Sequence, residues 1–490
     1  MILLSCLAIA GGKLGERHSN HLNSFAFNLI FCCSFWNGRI GALIDAYQTH
    51  IADVLSVALN PAKTMAFSAG VDPRTMHFQP ISRKDGKQKW VTSINRNVHS
   101  HDVRAIVALD RVVYSAGVDA SIAISDLLSK TTVKLPPLPP GDPIRIARYA
   151  NMVLFRYEKY LEVWKLGESL GDTTHATSET QLPLKTEPLK LLHLQTKDDE
   201  TIRSCDISDD GKWIMYATTT RIRVYRLDIT ELSSPKLLRV NIKSSKALQI
   251  AHHVIFVEME SGVGVVSACQ SGDIQILELN SKEERAGLCS TVTRKELNFS
   301  SSIAKIVSSK KWTVISDHDG NVVSFDVKSG RVIAKMPIYQ TAAITSLSVH
   351  QDSVIMVYSD QKLVECDLKT GKYTKFSSGL NIDKNFTTRR CPTLGVIAER
   401  DQLVCFDCSK ICIVDKNVDT SAEKNKKIQR KFGQNNPAKR ENKTRILQKY
   451  QHLVQFDKLS DDSFVAVEVQ PGAIESRLRP SLHRKGFGAI

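Results

Sequence analysis

The stretches FSAGVDPRTMHF (67–78) and YSAGVDASIAIS (114–125) share the string SAGVD, with Ser68 and Ser115 47 residues apart. Each copy is preceded by a His, an Asp-Val and an alternating apolar run. These read THIADVLSVAL (49–59) in one and SHDVRAIVAL (100–109) in the other. Each string is followed by a further apolar run. The pattern is three short strands joined by tight turns, since alternation marks a half-buried strand and Gly-x-Asp marks a turn.

The same pattern recurs downstream without the shared string. TIRSCDISDDGKWIMYATTTRIRVYRLD (201–228) repeats it, and KWTVISDHDGNVVSFDVKSG (311–330) and SVIMVYSDQKLVECDLKTG (353–371) form a close pair. One residue near the end of each third strand marks the repeat: Phe78, Ser125, Trp164, Tyr225, Leu277, Phe325, Cys366 and Val414. Their spacings are 47, 39, 61, 52, 48, 41 and 48 residues. A period of about 40–50 residues with four short strands per unit predicts an all-β propeller built of four-stranded blades.

Composition allows such a fold and limits the function. The chain has 490 residues, 42% hydrophobic and 24% charged, and a formal net charge of +15. The excess is concentrated between Lys416 and Lys449, where eleven Lys and Arg face three acids. A solvated basic stretch attracts polyanions and binds them by counterion release. The eleven cysteines are irregularly spaced, as expected of reduced thiols rather than a disulfide frame. Cys391, Cys405, Cys408 and Cys412 are the densest group. Their alternating surroundings, LVCFDCSKICIVD (403–415), fit strand-core thiols better than a zinc site. The opening MILLSCLAIAGG has no basic flank and is too short to span a membrane, so a soluble intracellular chain is expected.

The units resemble WD40 repeats, whose pattern is a His near the start, a turn Asp and a third strand ending in Trp-Asp. His101, Ser115, Asp119 and Asp126 match it, with Ser125 where Trp is usual, and Asp72 holds the same turn in the preceding copy. Trp36 matches the Trp, followed by Asn37. A more specific resemblance rests on KQKWVTSINRNVHSHDVRAIVAL, YLEVWKLG, LLHLQTKDDETIRSCDIS, SSKALQI and SFVAVEVQP with the late RKGFG. These stretches are similar to cirhin-like WD40 proteins, the U3 small nucleolar RNA-associated family. The resemblance runs in order from about Ser34 to Gly488.

That resemblance implies two tandem seven-bladed propellers, whereas only about two and a half units precede the proline-rich KLPPLPPGDP (134–143). The expected organisation has five parts. Residues 1–33 are an atypical leader outside the fold, and 34–130 are a partial first propeller. Residues 131–143 are a proline-rich linker. Residues 144–475 form a seven-bladed second propeller carrying a basic insertion at 416–449, and 476–490 are a basic tail.

No catalytic motif is present: there is no P-loop, H-E-x-x-H or G-x-S-x-G. His101 is read as a hydrogen-bonding residue within its own blade, and Trp213, Trp312 and Tyr225 as packing residues. The best candidates for direct contact are Lys424, Lys426, Lys427, Arg430 and Lys431, with a second cluster of Lys439, Arg440, Lys443 and Arg445. They read as RNA-phosphate contacts, as a nuclear-import signal, or as a solvated loop between the strands of the last two blades.

The resemblance implies a non-enzymatic scaffold of the small-subunit processome, in the nucleus and nucleolus. It would act in pre-rRNA processing and support ribosomal DNA transcription. Expected partners are other processome subunits and the 5′ external transcribed spacer of pre-rRNA, with no metal, cofactor, membrane or small-molecule substrate. A generic WD40 adaptor of a ubiquitin-ligase or chromatin complex is the alternative.

Overall fold

The computed structural model describes residues 32–37, 40–82, 88–128, 130–135, 141–168, 184–232, 234–242, 248–259, 262–280, 285–309, 311–339, 343–374, 376–377, 393–399, 401–416, 444–450, 452–460 and 463–481. They form two compact units. One holds the described residues up to 135 together with 469–481, and the other holds those from 141 to 468. Both are built of antiparallel sheets whose strands follow one another in chain order, save the short Asn241–Ile242, which pairs in parallel with Arg285–Ala286; this is the WD40 β-propeller architecture.

The first unit has a two-stranded sheet, β1 (Cys32–Asn37) and β2 (Ala42–Gln48), and two four-stranded sheets. The first of these is β3 (Val54–Leu59), β4 (Ala66–Gly70), β5 (Arg74–Ser82) and β6 (Gln88–Asn97). The second is β7 (Val103–Ala108), β8 (Val112–Gly117), β9 (Ile122–Asp126) and β10 (Thr132–Leu135). Three boundaries differ from the sequence expectation. Cys32 and Cys33 are no leader, because they pair with Gln48 and Tyr47 on β2 and Cys33 is buried in the core beside Phe35. Thr132–Leu135 is no linker, because its four residues pair with Ile122–Ser125 and complete the second sheet. The residues from Val469 join the first unit, so the second ends at Glu468 and not at 475.

The repeated string has a local cause. Ser68 and Ser115 each hydrogen-bond a buried His, and Ala69 is fully buried. Gly70 and Gly117 are required by close approach. A β-carbon at Gly70 would lie 1.9 Å from the Asp53 carbonyl oxygen, and one at Gly117 would lie 2.6 Å from both His99 Nδ1 and Asp119 Oδ1. Asp72 and Asp119 close the turns as partners of those histidines.

Sheets pack face to face. Phe35 stacks on Trp90 at 4.6 Å and meets Phe78 edge-on at 5.5 Å, joining the two-stranded sheet to its neighbour. Phe67 and Ala69 then pack on Val103, Ile106, Ala108 and Val113 of the next sheet. Ser56 Oγ accepts the Ile106 N–H at 3.1 Å and ties the two sheets together. On the second sheet, Tyr114 and Val107 are register partners, as Phe67 and Ala58 are on the first. The equivalent pair is open: Val107 is 57% exposed and Tyr114 37%, against 3% for Phe67.

The second unit is a ring of seven sheets. Their innermost strands are Ile144–Ala147, Ile202–Ile207, Ala251–Met259, Ile303–Ser308, Ile344–His350, Gly395–Ala398 and Leu453–Lys458, each neighbouring the next. Arg148 pairs with Asp457 at 3.3 Å, linking the first sheet to the last. Five of the seven strands carry a bulge two residues in, at Ile202/Ser204, Ala251/His253, Ile303/Lys305, Ile344/Ser346 and Leu453/Gln455. The first unit repeats it at Val54/Ser56 and Val103/Ala105. Ser204 Oγ accepts the Val254 N–H at 3.1 Å, the same bond between the same positions as Ser56 with Ile106. All eight residues that marked the sequence period lie on the third strand of their sheets.

Two substitutions test this packing by chemical denaturation. Phe67→Ala is expected to cost about 3–4 kcal/mol, while Tyr114→Ala at the equivalent open position costs about 1 kcal/mol or less. Equal losses would show that the second sheet's face is covered. Separately, His77 is 6% exposed, stacks on Phe67 at 4.7 Å, and has neither ring nitrogen hydrogen-bonded. Burial pushes its pKa down to about 4. His77→Phe keeps the stack and removes the unpaired polar atoms, so it is expected to stabilise the chain by about 1–2 kcal/mol.

Candidate functional site

Of the nine proposed contact residues, Lys424, Lys426, Lys427, Arg430, Lys431, Lys439, Arg440 and Lys443 lie outside the described residues. Arg445 is exposed on the strand Thr444–Leu447, which pairs with Ile411–Val414. The basic segment therefore connects the third and fourth strands of the sixth ring sheet. This corrects its expected place between the last two blades: the pairing of Arg445 with Ile413 keeps both ends in one sheet. At its start, Lys416 is nearly buried and pairs with Glu365 at 3.0 Å, so it belongs to the scaffold.

The histidine assignment also changes. His99, not His101, completes the hydrogen-bonded trio of its blade. His99 Nε2 lies 2.8 Å from Ser115 Oγ, and Nδ1 lies 3.0 Å from Asp119 Oδ1. The carboxylate only accepts, so Nδ1 carries the proton that it receives. Asp119 also accepts the Ser100 N–H at 3.2 Å. The preceding sheet repeats this trio with His50, Ser68 and Asp72, at 2.7 Å from Nε2 to Ser68 Oγ and 2.9 Å from Nδ1 to Asp72. Both trio histidines lie four residues before the first strand, ahead of Val54 and Val103, whereas His101 lies only two before it. His101 turns instead to the tail, its Nε2 donating to the Arg479 carbonyl at 3.0 Å. Trp36 is half-buried on β1 and donates from Nε1 to Ser34 Oγ at 2.9 Å.

Burial works to raise the Asp119 carboxyl, but the bonds and charge of His99 outweigh it. With the Ser100 N–H, they hold it down to about 2. The trios are thus rigid structural networks, with every named atom committed to a partner inside its blade.

A charged cluster stands at the ring's inner strands. Arg145 Nη2 donates to Asp142 at 3.0 Å, and its Nε lies 3.7 Å from Asp206. Asp206 Oδ2 accepts the Phe256 N–H of the next sheet at 2.7 Å, and burial raises its pKa to about 6. Asp206 and Asp457 each stand four residues into their strands, and each reaches a neighbouring sheet. The signal was available as an acid at a fixed offset from the bulge. These charges pair among themselves and act as links between sheets.

Cys405 and Cys412 are buried register partners on adjacent strands, and Cys408 is buried in the turn between them. Cys391 lies outside the described residues, and among the described residues no group of three metal-ligating side chains converges. Trp213 and Trp312 are 4% exposed, and Trp312 Nε1 donates to Asp352 at 2.8 Å. Tyr225 is half-buried and stacks on Tyr216 at 6.0 Å. No helix among the described residues is long and apolar enough to cross a membrane.

No family model matches the chain. It is 24% identical over 481 residues to U3 small nucleolar RNA-associated protein 4 homolog of Mus musculus, covering 92% of this chain and 68% of the mouse protein. The Homo sapiens homolog is 24% identical over 485 residues, covering 93% and 68%. U3 small nucleolar RNA-associated protein 4 of Saccharomyces cerevisiae is 24% identical over 359 residues, covering 68% of this chain and 43% of the yeast protein. These likenesses support a place in that family. Among solved structures, Saccharomyces cerevisiae Sqt1 covers 82% of this chain and 87% of its own, at 9% identity and a TM-score of 0.39. At that level it carries no argument, and the fold rests on the sheets described above.

His99→Ala is expected to cost about 2–4 kcal/mol, since it leaves Ser115 and Asp119 buried and unpaired, whereas His101→Ala loses one bond worth about 1 kcal/mol. The Asp119 pKa of about 2 lies below its ordinary 3.8. Its contribution, about 2 kcal/mol, is therefore fully present above pH 3.8 and lost as the pH falls through about 2. Denaturation midpoints followed over that window should be flatter for Asp119→Asn than for the native chain. A variant profile as steep as the native one would refute the assignment.

Proposed function

We propose that this chain is a cirhin-like, non-enzymatic scaffold subunit of the small-subunit processome, acting in ribosome biogenesis through pre-rRNA processing in the nucleolus. The observation that carries the reading is the likeness to U3 small nucleolar RNA-associated protein 4 over 92% of this chain. The architecture agrees with it. At the ring's inner strands Arg145 with Asp206 and Arg148 with Asp457 link sheets, and the outward faces and connecting segments are what the ring offers to partners.

The partners proposed are other processome subunits, U3 RNA and the 5′ external transcribed spacer of pre-rRNA. The basic segment, with exposed Arg445 near its end, supplies the sequence-independent part of RNA binding. Support of ribosomal DNA transcription belongs to the same reading.

A tagged chain is expected in the nucleolus, and immunoprecipitates should be enriched in U3 RNA and pre-rRNA. Alanine at Lys424, Lys426, Lys427, Arg430, Lys431, Lys439, Arg440, Lys443 and Arg445 should weaken RNA binding and flatten its salt dependence, by about 0.7 in log–log slope per lost phosphate contact. A diffuse cytoplasmic signal with no pre-rRNA in the precipitate would replace this reading with that of a generic WD40 adaptor.

A further inference from the structure

Between β6 and β10, the outer strands of the first unit's two four-stranded sheets, lies a cleft of about 580 Å3. Among the described residues it is lined by Arg96, Asn97 and Val98 from one sheet and Lys130, Thr132 and Lys134 from the other. Three of these six are cationic and none is acidic.

Two features set this cleft apart from an ordinary solvated rim. The first is Arg96. Its Nη2 donates to the Asp126 carbonyl at 2.9 Å, which fixes the guanidinium across the gap between the sheets. Its Nη1 is buried and has no hydrogen-bond partner. A guanidinium stays charged and offers its donors in a rigid fork, so a buried donor left empty is costly unless something fills it. His77, neutral and buried beside it, offers no negative charge.

The second is Lys130. Asp126 and Lys130 stand at the same spacing as Asp326 and Gly330 and as Asp367 and Gly371. In each, the opening Asp caps the N–H two residues on, at Leu128, Lys328 and Lys369. The closing residue is left-handed in all three, with φ of 55° at Lys130, 65° at Gly330 and 66° at Gly371. That conformation favours glycine. The chain places a lysine there, at backbone cost, on the lip of the cleft.

We propose that this cleft is a phosphate-binding site for the RNA backbone, with Arg96, Lys130 and Lys134 as its cations. The proposal rests on the RNA-associated role proposed above. Val98 is the one apolar lining residue, so there is no pocket for a peptide side chain beside the anion. A site that reads charge alone fits a polymer with a phosphate at every unit.

The test uses the full chain and a fluorescent single-stranded oligouridylate, with anisotropy measured across a salt series. Lys130→Gln with Lys134→Gln is expected to lower affinity and reduce the log–log salt slope by about 1.4, at about 0.7 per cation. Lys130→Gly should reduce it by about 0.7 while melting no lower than the native chain, because glycine suits the left-handed turn. Ultraviolet crosslinks should map to the peptide holding Lys130, Thr132 and Lys134, which separates this cleft from the basic segment of the other unit. Unchanged slopes with native melting, or crosslinks confined to the basic segment, would mean that the lysines only guard a sheet edge, and would overturn the proposal. A chain that binds no RNA itself but co-precipitates U3 RNA from cell extracts overturns the cleft and leaves the processome role standing. Absence of both defeats both.

Discussion

A four-stranded sheet of this repeat has two apolar faces, and each can be buried only by another sheet. Most of the architecture follows from that constraint. Phe67 is 3% exposed because Val103, Ile106 and Val113 lie against it. In the ring the same relation recurs, with Ile214 and Tyr216 packed on the preceding sheet and Trp213 and Met215 on the following one. Apolar packing is indifferent to small slips along the strand, so register between sheets needs directional bonds. Ser56 to Ile106 and Ser204 to Val254 supply them at equivalent positions in the two units. The bulge beside each serine frees the side chain to leave its own ladder and reach the next sheet.

Closure is where the constraint is met with charge. Sequence neighbours find each other through short turns, but the first and last sheets of the ring are separated by the whole unit. Arg148 and Asp457 bridge that seam across 309 residues. Asp457 occupies the position that Asp206 uses to hold the Phe256 N–H. One site in the blade thus serves both ordinary stitching and closure. Burial raises the Asp206 carboxyl to about 6, so this link is held at some electrostatic cost, which the Arg145 guanidinium offsets.

The periodic part of this design was legible in the sequence. Eight residues chosen from strand patterns alone all fall on third strands, because alternation and turn chemistry are local and survive loss of the Trp-Asp signature. Elements set by distant partners were not. His101 aligned with His50 because both precede an Asp-Val, but the trio needs the residue four before the strand, and that is His99. Thr132–Leu135 sits beside the proline-rich run and read as linker until its pairing with β9 made it an outer strand. The attachment of the tail depends on a backbone carbonyl, that of Arg479, which carries no side-chain signal.

The distribution of charge separates holding from binding. Arg145, Arg148, Asp142, Asp206 and Asp457 neutralise one another where sheets meet, and Lys416 does the same with Glu365. Two further groups of cations stand apart from those links: the basic segment that connects two strands of the sixth ring sheet, and the three that line the cleft between sheet rims. A residue kept for packing should suit its backbone. Lys130 does not, since its turn closes as two glycine turns do elsewhere in the chain. Local conformation and repeat equivalence both call for something other than lysine at that exposed point, and such disagreement between levels is the mark of a position held for what it touches rather than for what it stabilises.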